Sequence, residues 1–380
     1  MLYVINSSLL KVLTGVLGFV TMGLLTAQPV FAQAADQPRE IRIAYSSAGA
    51  AGRPLGGGNP LAVAHQHQLF EDEFAADGIK IVWNFFPGAG PATNEATARG
   101  LIDFGHHGDL PVIVGRSTGL KHKIVAALGR FGDTHFVVPS GSTARSLEDL
   151  RGKKISTFKG TAGQLTLARV LAKYGYTEKD FRVISLNGET TRASLTTGDI
   201  DGSITAPYSL EARGVAKRLF TIDRDPDITS VTSFWVSEDF EEKYPDITQR
   251  LVTTLVKAAH WASLEENRED FFALSARQGV TTYDDYQQEY ASYTLKERHS
   301  PLLDEYFAAT IQRSIDHALE YKLIRRPVSI DGWIEPKYLL NALDELELQT
   351  FWDEYDDTGK IKNVHEVVSA DQQGTVVQSQ

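Results

Sequence analysis

The chain of 380 residues contains no cysteine. A disulfide framework, a thiolate metal site and a cysteine nucleophile are therefore all excluded. Its two methionines are Met1 and Met22, so nothing beyond residue 22 carries a sulfur atom. Methionine fills irregular core space well, and a chain of this size without it is unusual. Two readings stand: chance or resistance to oxidation, and economy in a protein made in bulk when sulfur is scarce. Positive charge is also short. Lys and Arg number 38 against 49 Asp and Glu, a net −11, which disfavours tight nucleic-acid binding because that binding relies on a basic face. Several catalytic signatures are missing too: no Gly-x-Ser-x-Gly elbow and no His-Glu-x-x-His occurs. The glycine-rich stretch from Gly52 to Pro60 is neither a P-loop, since no Lys-Ser/Thr follows its last glycine, nor a dinucleotide fingerprint, since Asn59-Pro60-Leu61 breaks the spacing.

What is present is ordinary for a soluble globular protein: 42% hydrophobic and 23% charged residues. The length favours two domains. Residues 1–32 carry a single charge, Lys11, then an apolar stretch from Val12 to Thr26, then Pro29-Val30-Phe31-Ala32. This reads as a secretory signal peptide cleaved after Ala32. The rival is an uncleaved membrane anchor, because Leu9 to Leu25 approaches spanning length. Loss of Lys11 with the signal turns −11 into −12 for residues 33–380.

The periodicity predicts two α/β units. Residues 39–46 alternate as a strand. A glycine-rich loop (48–60) follows, then a helix over 61–74, a strand over 79–85, a turn at Pro87-Gly88-Ala89-Gly90-Pro91, a short helix over 92–100 and a strand at 102–105. Strand alternating with helix implies a parallel sheet covered by helices. The theme recurs with strands at 123–128, 135–138, 154–158 and 181–185, helices after Gly163 and at 190–197, and a closing segment at 199–206. Phe234-Trp235-Val236 begins a return to the first unit. The expected lobes are 39–128 plus 232–350, and 129–231. Beyond Pro245 the pattern is helical: 247–265 places Leu251, Leu255, Ala258, Ala259 and Ala262 on one face, and 283–293, 304–321 and 336–346 follow. Trp261 and Trp333 are expected to pack helices. The polar tail 353–380 is expected to be poorly ordered.

The strongest candidate for chemistry is Lys159-Gly160-Thr161-Ala162-Gly163-Gln164, which follows a strand and opens a helix. Unsatisfied amides and the positive end of the helix dipole form an anion seat there, and ligands of open α/β sheets gather at the carboxyl ends of strands. An ordinary turn capped by Thr161 is the plain alternative. Gly88-Ala89-Gly90-Pro91-Ala92-Thr93 is a matching turn in the first unit, expected to face the first across a cleft. Ser46 and Ser47 are expected as hydroxyl donors beside a flexible loop at the cleft mouth. His106-His107-Gly108-Asp109 follows a strand; adjacent histidines on an extended segment point to opposite sides and cannot share one metal. A neutral His107 donating to ligand, with Asp109 fixing its orientation, is the favoured reading. Asn187, Thr205 and Tyr208 complete the candidate binding set, with no catalytic residue, no metal and no cofactor.

Several segments in order resemble the ABC-transporter solute-binding proteins for sulfonates, taurine and nitrate: Gly90-Pro91 with Ala92 to Ala98, Gly100-Leu101-Ile102-Asp103-Phe104-Gly105, Gly108-Asp109-Leu110-Pro111, Leu147 to Ile155, and Gly198-Asp199-Ile200-Asp201-Gly202. The resemblance spans roughly residues 39–350. It implies a type II periplasmic binding protein fold, α/β with two parallel-sheet lobes, a ligand cleft and C-terminal helices. It also implies a monomeric periplasmic receptor, not an enzyme, that passes a small organosulfur anion such as an alkane- or arylsulfonate to an inner-membrane ABC permease. Loop 46–60 is longer and richer in glycine than that family's first turn. Arg325 to Trp333 is similar to the aryl-sulfinate desulfinases of the same fold. Those enzymes use a cysteine, so their activity does not carry over. The competing expectations are a desulfinase-like or hydrolytic enzyme using His107, or a receptor for nitrate, a pyrimidine or an aromatic carboxylate.

Overall fold

A computed structural model describes residues 37–362. The signal segment with its cleavage point after Ala32, and tail residues 363–380, lie outside the described residues. Strand β1 (Glu40–Tyr45) sends Ile41, Ile43 and Tyr45 into one core and Ala44 into the core on the opposite face, the period-two alternation of a pleated strand. Helix α1 (Pro60–Gln66) starts with Asn59 accepting from the Ala62 amide and proline in the first turn. The single helix expected over 61–74 is broken: Gln68 takes a left-handed φ of 58° and α2 (Leu69–Phe74) begins after it. Then come β2 (Lys80–Phe85), α3 (Ala89–Ala98), β3 (Phe104–Gly108), α4 (Asp109–Ser117) and β4 (His122–Gly129). After a four-residue crossing the chain builds β5 (Thr134–Pro139), β6 (Lys154–Thr157), α5 (Ala162–Lys173), β7 (Arg182–Ser185), α6 (Gly188–Thr197), β8 (Gly202–Ile204), α7 (Tyr208–Ala212) and β9 (Ala216–Ile222). It returns to the first sheet as β10 (Thr232–Ser237).

The strand orders are β2-β1-β3-β10-β4 and β7-β6-β8-β5-β9. In the first sheet β1 is parallel to β2 and β3, while β10 is antiparallel to β3 and β4. In the second, β6 is parallel to β7 and β8, while β5 is antiparallel to β8 and β9. Both sheets are thus mixed, a correction to the all-parallel expectation. Parallel pairing needs a long crossover connection; β5 and β10 come straight from the other sheet and run against their neighbours.

Helices α8 (Glu238–Lys243), α9 (Pro245–Ser263), α10 (Arg268–Ala276), α11 (Tyr283–Glu289), α12 (Leu295–His299), α13 (Glu305–Glu320) and α14 (Lys337–Glu345) complete the described chain. None of the described helices is long and apolar enough to cross a membrane. The five α9 residues predicted to share a face are all fully buried. Trp333 is buried in the core and Trp261 packs against the other, both as helix-packing residues. The start of the tail is a correction. Tyr355 is buried, its amide donates to Asp304 Oδ2 at 3.1 Å and its ring lies 4.9 Å from that of Phe131. Asp304 also caps α13 through the Phe307 amide and receives Arg130 Nη1 at 2.7 Å. Residues 353–362 are therefore held against the crossing, where Phe131 adopts a φ of 57°.

Two buried polar contacts join the sheets. Arg169 of α5, 3% exposed, places Nη1 2.9 Å from Asp109 Oδ2 at the start of α4, and it donates to Ser314 Oγ and His317 Nδ1 of α13. Asp285 of α11 accepts from Arg192 of α6 and from the amide and hydroxyl of Ser209 in α7. Removing one member of a buried pair strands a charge and costs roughly 3–5 kcal/mol. Asp109→Asn and Arg169→Gln are each expected to lower unfolding free energy by about that amount, and the double variant by clearly less than the sum. Denaturant melts of all four proteins check this; simple additivity would mean the two residues do not act as a pair.

Acid sensitivity follows from three other buried groups. Burial holds His106 down to about 4, and burial with the nearby Arg116 holds His122 down to about 3. A histidine kept neutral in the fold contributes stability above its unfolded value that is lost as pH falls toward the folded one. Burial disfavours the Glu241 carboxylate, but hydrogen bonds from Lys337, Tyr338 and Lys123 outweigh it and set Glu241 at about 2. Its contribution is present above the ordinary carboxylate range and is lost as pH falls toward 2. Stability should therefore decline from about pH 6.5 downward. His122→Gln should flatten the upper part of that slope and Glu241→Gln the lower part, read from melting temperature against pH.

Candidate functional site

A cavity of about 320 Å³ lies between the two sheets, at the small end of the range for ligand pockets. The first sheet contributes Ser47, Ala48 and Gly49 just after β1, further loop residues Gly52, Leu55, Gly56 and Gly57, and Pro87 and Ala89 at the start of α3. The second contributes Phe158 after β6 and Asn187, Gly188 and Glu189 where α6 begins. Gln278, Val280 and Thr281, between α10 and α11, and Tyr286 close the remaining side. The wall is thus made at carboxyl ends of strands, where loops carry unpaired backbone groups.

The glycine-rich loop is at the mouth, as expected, but it is pinned rather than flexible. The Ala50 amide donates to the Gln278 carbonyl at 2.7 Å, Gly58 donates to Ser275 Oγ and Arg53 to the Arg277 carbonyl. A Cβ on Gly49 would fall 2.5 Å from the Gln278 carbonyl oxygen, and one on Gly56 would fall 1.9 Å from the Tyr45 ring. The glycines serve close approach. The loop reaches the other sheet as well: the Ala51 amide donates to Glu189 Oε2 at 3.1 Å, with Ala51 at a left-handed φ of 55°.

Among the described residues, the amides of Gly56, Gly57, Gly188 and Glu189 meet no protein acceptor. Asn187 accepts from the Thr190 amide as the cap of α6. Among the described residues, no Lys, Arg or His lines the cavity, and Glu189 is its one acidic side chain. Burial and the neighbouring Tyr290 and Tyr45 keep the Tyr286 hydroxyl protonated. The cavity therefore offers neutral donors and a single carboxylate. A ligand's anionic group would be held by backbone and hydroxyl dipoles, not by a cation.

Of the residues singled out from sequence, Ser47 and Asn187 line this cavity, and Gly88 sits between two that do. The others are placed elsewhere. Ser46 is buried, donating to the His106 carbonyl and bonded to Thr93. Gly90 packs beneath Pro111. The turn at 160–164 is the main correction. Gly160 donates to Gln164 Oε1 at 2.7 Å, so the chain's own side chain occupies that amide. Thr161 Oγ1 donates to the Phe158 carbonyl, Pro91 covers Gly160, and Ala162 packs on Gly108. Gly163 is exposed outside the lining. The two turns do face each other, with Pro91 against Gly160 and Ala162 against Gly108.

His107 and Asp109 are also corrections. His107 is 1% exposed and its Nδ1 accepts from Trp235 Nε1 at 2.8 Å. Burial, then His122 and His106, hold it neutral. Asp109 is committed to Arg169 and Ser314 and does not orient it. The opposed histidines are as expected: His106 meets Tyr45 and His107 stacks on Trp235. Thr205 donates its amide to the His135 carbonyl, and the Tyr208 hydroxyl meets His135 Nε2 at 3.2 Å; neither lines the cavity. Sequence reasoning missed Glu189 and the 278–281 connection. Asn187 leading into a helix was the only local signal for the former, and nothing in the local pattern brings the latter 220 residues back to loop 49–58.

A family model described as NMT1/THI5 like matches residues 60–266, more than half of the chain. A Bacillus subtilis (strain 168) protein provisionally named an aliphatic sulfonates-binding protein is 26% identical over 293 residues, 76% of this chain and 86% of that one. The crystal structure of a protein from Methylobacillus flagellatus KT, provisionally described as the periplasmic sulfonate-binding protein SsuA of a sulfonate ABC transporter, superposes with a TM-score of 0.70 at 29% identity, covering 84% of this chain and 98% of that one. The 2'-hydroxybiphenyl-2-sulfinate desulfinase of Rhodococcus erythropolis is 28% identical over 155 residues, 40% of this chain and 41% of that enzyme.

The loop packing generates a direct test. Gly56→Ala must drive a methyl group into the Tyr45 ring or lift the loop, an overpacking cost of roughly 1–3 kcal/mol. The variant should melt lower and be cut faster by subtilisin within loop 48–60, whereas Gly141→Ala, with open space around it, should match the parent in both.

Proposed function

The chain belongs to the NMT1/THI5-like family, and from that premise we propose that it is the periplasmic solute-binding component of an ABC importer, capturing a small organosulfur anion, an alkane- or arylsulfonate, for sulfur acquisition. The observation that carries this reading is the cavity between the sheets, walled by strand-end loops and by the starts of α3 and α6 and lined by neutral donors. Residues 39–128 with 232–350 act as one lobe and 129–231 as the other, closing on the ligand about the two crossings. Ser47, Asn187 and the amides of Gly56, Gly57, Gly188 and Glu189 take over the anion-holding role expected of the 160–164 turn.

The energetics are sufficient. Micromolar binding corresponds to about −8 kcal/mol, and hydrogen bonds to a charged group supply roughly 1.5–3 kcal/mol each. Four or five such bonds cover it after ordering costs. Fixed dipoles need no positively charged protein, so a net charge of −11 is compatible with an anionic ligand. The named functions of the relatives and the lack of sulfur beyond residue 22 support the same substrate element.

Binding without turnover is the reading for this chain. The desulfinase relative covers 40% of it, but the chain has no cysteine, and His107 is buried behind Gly90 and held by Trp235, out of reach of the cavity. Ligand binding raises melting temperature by mass action. Short alkanesulfonates or arylsulfonates are expected to raise it, and nitrate, pyrimidines and benzoate to leave it unchanged. A shift with nitrate and none with sulfonates would overturn the substrate assignment, and release of sulfite from a sulfonate or sulfinate would overturn the receptor reading.

A further inference from the structure

Among the described residues, the only charged side chain lining the cavity is a carboxylate. We propose that Glu189 is a specificity-determining residue that makes the cavity a single-charge filter: it admits sulfonates whose remaining atoms are uncharged and rejects those with a second negative group. The proposal rests on the sulfonate-receptor reading and deepens it.

Three observations converge. Glu189 lies at the start of α6 beside Asn187 and Gly188, where the second sheet's wall meets the cavity. Its Oε2 is fixed by the Ala51 amide of the opposite wall, so the carboxylate stays at the closing seam of the cleft. Among the described residues, no lysine, arginine or histidine in the lining offsets it. A sulfonate carries one charge at any physiological pH. Held by neutral donors of both walls, it leaves the rest of the ligand in a cleft whose one carboxylate side chain, among the described residues, is Glu189. There a methyl, hydroxyl or amide is tolerated, whereas a carboxylate or second sulfonate meets like charge at the exposed seam. Phosphate and sulfate dianions are disfavoured on the same ground.

Glu189→Gln tests this without losing the seam contact, because glutamine retains an acceptor for the Ala51 amide. The probes are a matched pair, sulfoacetate and its uncharged-tail analogue carbamoylmethanesulfonate, titrated calorimetrically into the full-length protein at low ionic strength. The parent protein should bind the amide about tenfold or more tightly than the acid, a gap typical of one screened like-charge contact in a cleft. The gap should shrink toward unity in Glu189→Gln, through tighter sulfoacetate binding. It should also narrow for the parent protein as NaCl is raised, a readout that does not depend on the variant folding and that a purely structural role would not move. Equal affinities in the parent protein, or a gap unchanged by both substitution and salt, would overturn the filter while leaving the receptor reading intact. Binding of nitrate with no response to either sulfonate would overturn both.

Discussion

The architecture depends on one buried ion pair. Arg169 belongs to α5 beside the second sheet, Asp109 to the first turn of α4 beside the first sheet, and neither is open to water. A guanidinium and a carboxylate taken out of water are tolerated only when their hydrogen bonds are met. Here Ser314 and His317 of α13 complete the set. The pair therefore fixes three elements at once: α5, α4 and the long C-terminal helix. It also draws the turn at 160–164, directly before α5, against Pro91 and Gly108.

With that corner closed, the space left between the sheets is displaced toward α6 and the glycine-rich loop. The loop's glycines permit backbone to lie on Tyr45, Ser275 and Gln278 at distances a side chain would forbid. The result is a wall of amides and small side chains with little conformational freedom. Preorganised dipoles of this kind hold an anion without paying for reorganisation at each binding event. A single carboxylate side chain, Glu189, lies on the opposite wall among the described residues. Among the described residues, neutral donors come from both sheets and the one acidic side chain from the second.

Much of this was legible one dimension at a time. Strand alternation in residues 40–45 and the helical face of α9 report burial directly, because side-chain direction follows backbone period. The positions of α4 and β9 were not legible. Gly108-Asp109-Leu110-Pro111 carries no clear period of its own, and its helical continuation is secured by packing of Leu110, Val112 and Ile113. Strand β9 has exposed and half-buried positions without clean alternation, since it is an edge strand beside β5. The site was harder still. An uncapped amide at a strand-to-helix turn looks the same in sequence whether a ligand, a side chain such as Gln164 or a facing proline satisfies it.

The sequence by itself determined that no cysteine chemistry is available, that two α/β units alternate along the chain, and that a glycine-rich loop follows the first strand. These depend on residue type and local period, which need no partner. Only the tertiary structure decided that the sheets are mixed, that His107 and Asp109 serve the interior, and that Glu189 faces Ala51 across the cleft. Each of those depends on which distant segment arrives at a given atom, and the buried hydrogen bonds and close contacts that settle it exist only once the chain has folded.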